Sequence, residues 1–510
     1  MWSVGNSPWA KSAWIAALTL LSAAYFYSAI SVSAARNLRM DEVLVITTVV
    51  QPSWEEVWKV VWAGSDVSPP GYHYLLHGMA QLTGIWDSPF FWRIPSVLAF
   101  YGTGICTLAI ALRYMSPFVS LAVVGLIFVS DLHGFSDEIR PYALLAFGYA
   151  AAFLLWDRYA QTQRRGLSAF AIWFIAAFCL SMHFYGFVLP AALGMAEVLW
   201  LITRRQFRWG IWDALVATIP VEALWWPLGR HLATFVADEN TARAYYARPT
   251  LPFFKEALTN VAFEGRYGYG LFLTVVLVIG TLSVLRWLFP RRVAAEIRQE
   301  PYRLPLLSPL VIVILVTTPI PFLVFAFSYY VSGSFCERFL LEACIGYALA
   351  AGFILEHLPF RREAALALTV VCSWLLFNQP PDERPLSARL DLLPPSSPVV
   401  VADGRDYLDL YEVSDAQTRK SLFFLFNPPD FRSPDPTYEN ILKRMAPFLP
   451  GSQIQGMNQF LQAHPDFYVL SSKDQPMSAY APWFFKGAWT RTLVRQEVDV
   501  SLYHASQIRD

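Results

Sequence analysis

Runs of about 20 apolar residues recur through the first three-quarters of this chain, and a run of that length is what a helix needs to cross a bilayer. Basic residues collect at alternate gaps between the runs, as they do at the cytoplasmic ends of spans. Those two regularities thread the chain. A first span of about 12 to 33 runs outward from Lys11, and one of about 89 to 112 returns to Arg113. No small-residue cleavage site follows the first run, so it reads as an uncleaved span. Residues 34–88 then form one external segment. Within it Pro70 to Gly84 and Trp54 to Trp62 are too short to cross and read as helices lying in the interface.

The pattern continues outward over about 117–133, inward over about 141–157 to Arg158, Arg164 and Arg165, and outward over about 167–182 to His183. It returns over about 186–203 to Arg204, Arg205 and Arg208, and leaves over about 210–229 into a polar loop, 230–267. Spans of about 268–288, 304–330, 339–358 and 364–378 follow, with Arg286, Arg291, Arg292, Arg298, Arg361 and Arg362 inside. The expectation is a polytopic α-helical membrane protein with about 11 transmembrane helices and an external C-terminus.

From Gln379 the composition changes to a Pro-rich linker, including Pro394-Pro-Ser-Ser-Pro, and then to a soluble pattern. Pro398 to Asp403 reads as a buried strand, Asp406 to Val413 as a helix, Phe467 to Ser471 as a strand and Thr492 to Tyr503 as one or two more. The domains are therefore 1–379, a transmembrane domain, and 380–510, a small extracytoplasmic α/β domain.

Composition excludes an ordinary soluble protein, being 55% hydrophobic, 16% aromatic and only 15% charged. With 39 basic and 39 acidic residues the net charge is zero, which gives no footprint for nucleic acid. Cys106, Cys179, Cys336, Cys344 and Cys372 show no paired spacing for disulfides or zinc and read as packing residues. There is no GxGxxG in a strand–helix unit and no P-loop, so no nucleotide site is expected.

Polar residues that the threading places outside, near the membrane, form the candidate site: Asp41, Glu42, Asp66, His73, His77, Arg93, Asp137, Glu138, Arg140, His183, Arg266, Glu337 and Arg338. Loop charges of this kind are often merely solvated, which suits Asp66, Asp137 and Arg266. Asp41, Arg140 and Arg338 sit at span ends, where a charge incurs a desolvation cost unless it pairs or binds something. His73 and His77 lie four apart on one helix but lack a third metal ligand, so ring packing or a headgroup hydrogen bond is the better reading. A divalent metal is not indicated by the sequence. An external carboxylate beside membrane-edge arginines suits transfer from a phosphate-bearing lipid: the carboxylate takes a hydroxyl proton and the guanidinium forks hold the departing phosphate.

Six segments carry a resemblance: Asp41-Glu42, Ser68-Pro-Pro-Gly-Tyr-His-Tyr-Leu-Leu-His77, Trp92-Arg-Ile-Pro-Ser96, Ser136-Asp-Glu-Ile-Arg-Pro-Tyr-Ala-Leu-Leu145, His183-Phe-Tyr and Glu337-Arg-Phe-Leu-Leu341. In order and sidedness the chain resembles the GT-C glycosyltransferases of the protein O-mannosyltransferase and lipid A aminoarabinose transferase superfamily. That resemblance covers roughly residues 10–360 and implies a GT-C fold with juxtamembrane helices in the first external loop. It implies Asp41 as general base with Glu42 beside it, Arg338 and Arg140 on the donor phosphate, and Glu138, His77, Tyr72, Arg93 and His183 as substrate contacts. The implied partners are a polyprenyl-phosphate-linked sugar donor, membrane lipids and a hydroxyl acceptor on lipopolysaccharide, another envelope glycan or protein. The implied location is the bacterial inner membrane, with the site on the periplasmic side. A transporter or flippase of lipid-linked glycans is the alternative, against which stands the lack of paired broken helices or duplicated halves.

Overall fold

The computed structural model describes residues 8–159, 164–240, 245–261, 308–378, 390–394, 397–426, 437–472, 489–497 and 500–508. The expected span 268–288, Arg266, Arg286, Arg291, Arg292, Arg298 and the linker from Gln379 lie outside the described residues.

In chain order the helices up to residue 261 are α1 (Pro8–Ala35), α2 (Met40–Val49), α3 (Trp54–Trp62), α4 (Gly71–Thr83), α5 (Pro89–Ala111), α6 (Pro117–Phe128), α7 (Tyr142–Tyr159), α8 (Arg165–Met182), α9 (Val188–Arg204), α10 (Trp209–Val216), α11 (Ile219–Asn240) and α12 (Leu251–Thr259). After it come α13 (Pro309–Thr317), α14 (Ile320–Phe327), α15 (Ala343–Glu356) and α16 (Arg361–Phe377). Among the described residues, five helical stretches are long and apolar enough to cross a membrane: Pro8–Ala35, Pro89–Ala111, Arg165–Met182, Phe184–Arg204 and Pro309–Ser332. Pro117–Phe128 and Ala343–Glu356 are shorter apolar helices.

Three expected boundaries are corrected. The span placed at 117–133 ends as a helix at Phe128, and a 3₁₀ turn covers Asp131–Phe135. The stretch 210–229 is two helices, interrupted at Ala217-Thr218, and the second runs on through the expected polar loop to Asn240. The stretch 304–330 breaks at Thr318-Pro319, because proline removes a backbone donor and crowds the preceding turn.

The chain divides into two compact units: Met1–Ala34, Ser88–Pro227 and Pro249–Pro381 form one, and Ala35–Asp87, Leu228–Arg248 and Asp382–Asp510 the other. In the first unit α5 packs on α7, α7 on α8, and α6 on α15 and α16. Charge pairs gather at one end of this bundle. Arg113 Nε lies 2.5 Å from Asp157 Oδ2, and Glu356 accepts the Ser116 amide at 2.7 Å while pairing with Arg361 at 3.3 Å. Arg208 pairs with buried Glu197, which also accepts the Trp156 indole N–H at 2.6 Å, and its guanidinium sits 4.7 and 4.3 Å from the Trp156 and Trp200 rings. These ties join the ends of α5, α6, α7, α9, α15 and α16 that the basic clusters mark.

In the second unit a six-stranded sheet has the order β3-β2-β1-β4-β6-β5. The strands are β1 (Val399–Val401), β2 (Leu422–Phe426), β3 (Gln453–Gly456), β4 (Asp466–Ser472), β5 (Trp489–Gln496) and β6 (Val500–Gln507). The first four are parallel, with Val399 opposite Leu422 and Val400 opposite Val469, while β6 and β5 run antiparallel. Helices α17 (Gly404–Val413), α18 (Ala416–Ser421), α19 (Thr437–Met445) and α20 (Met457–Ala463) connect the parallel strands. Val400, Phe423, Leu425, Phe460, Phe467 and Val469 form its core, which is why β1 and β2 are continuous apolar runs.

Two glycines test the packing of the first unit. A Cβ at Gly186 would lie 2.2 Å from the Cys179 carbonyl oxygen, backbone that cannot swing away, whereas one at Gly166 meets nothing within 4 Å. Gly186→Ala is expected to destabilise by about 1–3 kcal/mol and Gly166→Ala to be neutral or slightly stabilising, as read by thermal unfolding in detergent.

Candidate functional site

The two units carry different parts of the expected site, and each is built around one brace. In the first unit the brace is the Tyr142 ring, at the start of α7. The Arg140 guanidinium lies 5.6 Å from its centroid and donates to its hydroxyl at 3.4 Å. The Arg338 guanidinium lies 5.8 Å from the same ring, and the His183 ring 5.5 Å from it. Three segments far apart in sequence therefore converge on one side chain, and two cations share one aromatic face region, a cation–π arrangement that is strongest where water is scarce.

Neighbouring contacts fix this cluster. His183 Nδ1 accepts the Tyr185 amide at 3.2 Å, and Tyr185 stacks on Phe339, next to Arg338, with centroids 4.1 Å apart. The Tyr185 hydroxyl donates to the Ser334 carbonyl at 2.9 Å, tying the His183 turn to the segment before Arg338. Ser96 on α5 donates to the Glu138 carbonyl at 2.7 Å and lies 3.3 Å from the Arg140 carbonyl, so the Trp92–Ser96 motif holds the backbone of the Ser136–Arg140 motif. Arg93 is fully buried and donates to the Ser33 carbonyl at 2.7 Å, tethering α5 to the end of α1. Glu138 and Asp137 are buried.

Glu337 adds a carboxylate next to Arg338, and Asp131 interacts electrostatically with Glu337. Glu337, adjacent to Arg338, accepts from the Asn260 amide at 3.2 Å. Burial, and then repulsion from Glu337, push the Asp131 carboxyl up to about 6. Sequence reading passed over Tyr142 and Asp131. Tyr142 had a signal, standing two residues after Arg140 at the head of a span; Asp131 had none, being hidden in the tail of an apolar run.

In the second unit the brace is the start of α2. Arg36 and Glu42, each with a side chain only 1% exposed, form an ion pair at 2.9 Å, and Glu42 also accepts the Arg39 amide at 3.0 Å. A buried pair of this kind holds only when further hydrogen bonds complete it, and removing one partner leaves an uncompensated charge. Glu42 is thereby committed to fixing the turn. Asp41, one residue earlier on the first turn of α2, is partly exposed, and a negative charge there complements the positive end of the helix.

The other end of α2 is held by His77. Its Nδ1–H donates to the Val49 carbonyl at 2.7 Å, and its Nε2 accepts from Gln81 at 2.9 Å. Both ring nitrogens are engaged, and Trp54 and Trp86 pack edge-on against the ring at 4.6 and 5.5 Å. The His77 ring thus braces the end of α2, with its hydrogen-bonding capacity used internally. Tyr72 and His73 on α4 are fully buried, and Ser68 donates to Asp66 at 3.0 Å. Among the described residues no group of three or more His, Cys, Asp or Glu side chains is placed to hold a metal ion.

The sequence matches no protein-family model and no curated protein. In fold, the chain is similar to ArnT from Cupriavidus metallidurans in the apo state, with a TM-score of 0.55 and 12% identity over 97% of this chain and 98% of that one. It is equally similar to the same protein bound to undecaprenyl phosphate, over 96% and 97%. An oligosaccharyltransferase from Archaeoglobus fulgidus, in complex with zinc and sulfate, aligns at a TM-score of 0.43 and 12% identity over 89% of this chain and 68% of that one. The likeness to ArnT spans both units, including the small C-terminal sheet domain. The chain thus has an ArnT-like fold and, with its apolar helices, is a multi-pass membrane protein.

Proposed function

We propose that the protein is an integral membrane glycosyltransferase that moves one sugar from a polyprenyl-phosphate carrier to a hydroxyl acceptor on the outer face of the bacterial inner membrane. The observation that carries this reading is the pair of guanidinium groups, Arg140 and Arg338, gathered on Tyr142 at the span ends. Arginine forks match phosphate oxygens, and two of them neutralise the charge a departing phosphate acquires. The ArnT-like fold supports it, because that protein has been seen with undecaprenyl phosphate bound. The acceptor is a hydroxyl on lipopolysaccharide, another envelope glycan or protein.

In this reading Asp41 takes the proton from the acceptor hydroxyl while the hydroxyl oxygen attacks the anomeric carbon. The bond from that carbon to the phosphate oxygen breaks, its electron pair stays with the phosphate, and polyprenyl phosphate leaves on Arg338 and Arg140. Attack opposite the leaving group inverts the anomeric configuration. Glu42 does not take the proton, because Arg36 and the Arg39 amide hold its carboxylate; it orients the turn that presents Asp41. Glu138 and His183 are assigned to the sugar side of the donor, and Arg93 to holding α5 in place.

The acid–base step is tested with purified wild type and Asp41→Asn in lipid, given labelled polyprenyl-phosphate sugars singly with a crude envelope acceptor fraction. Loss of a general base should lower transfer by about 10²- to 10⁴-fold with donor binding retained; an Asp41→Asn protein that folds normally and keeps full activity would sink the assignment. Label accumulating inside vesicles as intact lipid-linked sugar, without transfer, would favour the flippase.

Asp131 predicts a pH dependence. Its carboxyl is neutral in the folded protein up to about pH 6 but ionises at an ordinary 3.8 when unfolded, so the unfolded chain binds fewer protons between those values and stability falls as pH rises through that window. The same ionisation places a second negative charge beside Glu337 and Arg338. Donor affinity should therefore weaken as pH rises through about 6, and Asp131→Asn should flatten that step in a donor-binding titration.

A further inference from the structure

Gly64 marks a junction of three chain segments inside the second unit. It caps α3 with a φ of +82°, and a Cβ there would lie 2.9 Å from the Phe235 ring and 3.3 Å from Arg444 Nε. Gly64 belongs to the first external loop, Phe235 to α11 and Arg444 to α19 of the sheet domain. The Arg444 guanidinium lies 4.1 Å from the Phe235 centroid, and its Nη2 is 3.6 Å from Glu239 Oε1, a carboxylate only 6% exposed.

From this junction a short chain of contacts leads to Asp41. The residue after Gly64 is buried Ser65, whose hydroxyl oxygen meets Thr48 Oγ1 at 3.0 Å. Thr48 also donates to the Leu44 carbonyl at 2.8 Å, which fixes its rotamer on the last turn of α2. Seven residues earlier, two turns away on the same helix face, stands Asp41. Helix α17, which leaves β1 of the sheet domain, packs directly on α2 as well.

We propose that Arg444 is a positioning residue for Asp41, so that the C-terminal sheet domain sets the catalytic helix of the first loop. The guanidinium clamps the Gly64 turn against Phe235, the clamped turn presents Ser65 to Thr48, and α2 is thereby held at the end opposite its Arg36–Glu42 brace. This inference rests on the reading of Asp41 as base. Positioning at this level matters because displacements of about 1 Å cost up to about 10²-fold in rate.

The test uses full-length protein in lipid, comparing Arg444→Ala, Arg444→Lys and, as a surface control, Lys420→Ala. Arg444→Ala should lower kcat about tenfold or more with the donor KM within about twofold, and should speed amide exchange across 40–50 while leaving β1 and α5 protected. Arg444→Lys, which keeps the charge for Glu239, should recover much of both losses, and Lys420→Ala should match wild type. Wild-type kcat in Arg444→Ala overturns the inference, and so does exchange that rises uniformly, since that reports a destabilised fold. If Asp41→Asn is fully active while Arg444→Ala still loosens 40–50 selectively, the mechanical link stands and the reading of Asp41 fails instead.

Discussion

A charge inside hydrocarbon must be paired or carried to an edge, and the first unit is organised by that requirement. Asp157, Glu197 and Glu356 are all buried, and each is met by an arginine or a backbone N–H at the same end of the bundle. These pairings fix the depth and rotation of the helices that carry them, and so fix what the opposite ends present. The opposite ends present Tyr142 with Arg140, Arg338 and His183. A guanidinium pair left beside one aromatic ring at a span end is costly to assemble, and the ties at the far end, together with Ser96 and Arg93, supply the rigidity that keeps it assembled.

The two acidic neighbours Asp41 and Glu42 illustrate how adjacent identical chemistry is divided by environment. One step along a helix turns the side chain by about 100°. That step takes Glu42 into a buried pocket with Arg36 and leaves Asp41 partly exposed. A sequence shows two carboxylates; only packing shows that Arg36 and the Arg39 amide hold the one on Glu42. His77 makes the same point, since its spacing from His73 suggests ligands while its actual partners, Val49 and Gln81, belong to the local helices.

Much of the architecture was legible because apolar length and basic flanks report directly on membrane crossing. The helices Trp54–Trp62 and Gly71–Thr83, the strand around Val399–Val401 and the strand character of Thr492 to Tyr503 were visible as local patterns. Strand β3, Gln453–Gly456, was not, because a four-residue polar strand borrows its order from β2 and has no alternation of its own. Helix α11 ran past its expected end because its continuation, Leu228–Asn240, belongs to the second unit. Among the candidate residues, the arginines and Asp41 were legible as charges at span ends and Tyr142 had only its place two residues after Arg140, whereas the Gly64–Arg444 junction was hidden, since it depends on residues hundreds of positions apart meeting in space.

That junction also bears on the order in which the protein becomes whole. Gly64 emerges early in synthesis and Arg444 roughly 380 residues later, which at ordinary elongation rates is a delay of about 20–80 s. During that interval the α3 turn precedes a partner still being made. A chain that stops short of Arg444 therefore lacks the guanidinium that packs on Phe235 and pairs with Glu239, and its second unit is left unfinished.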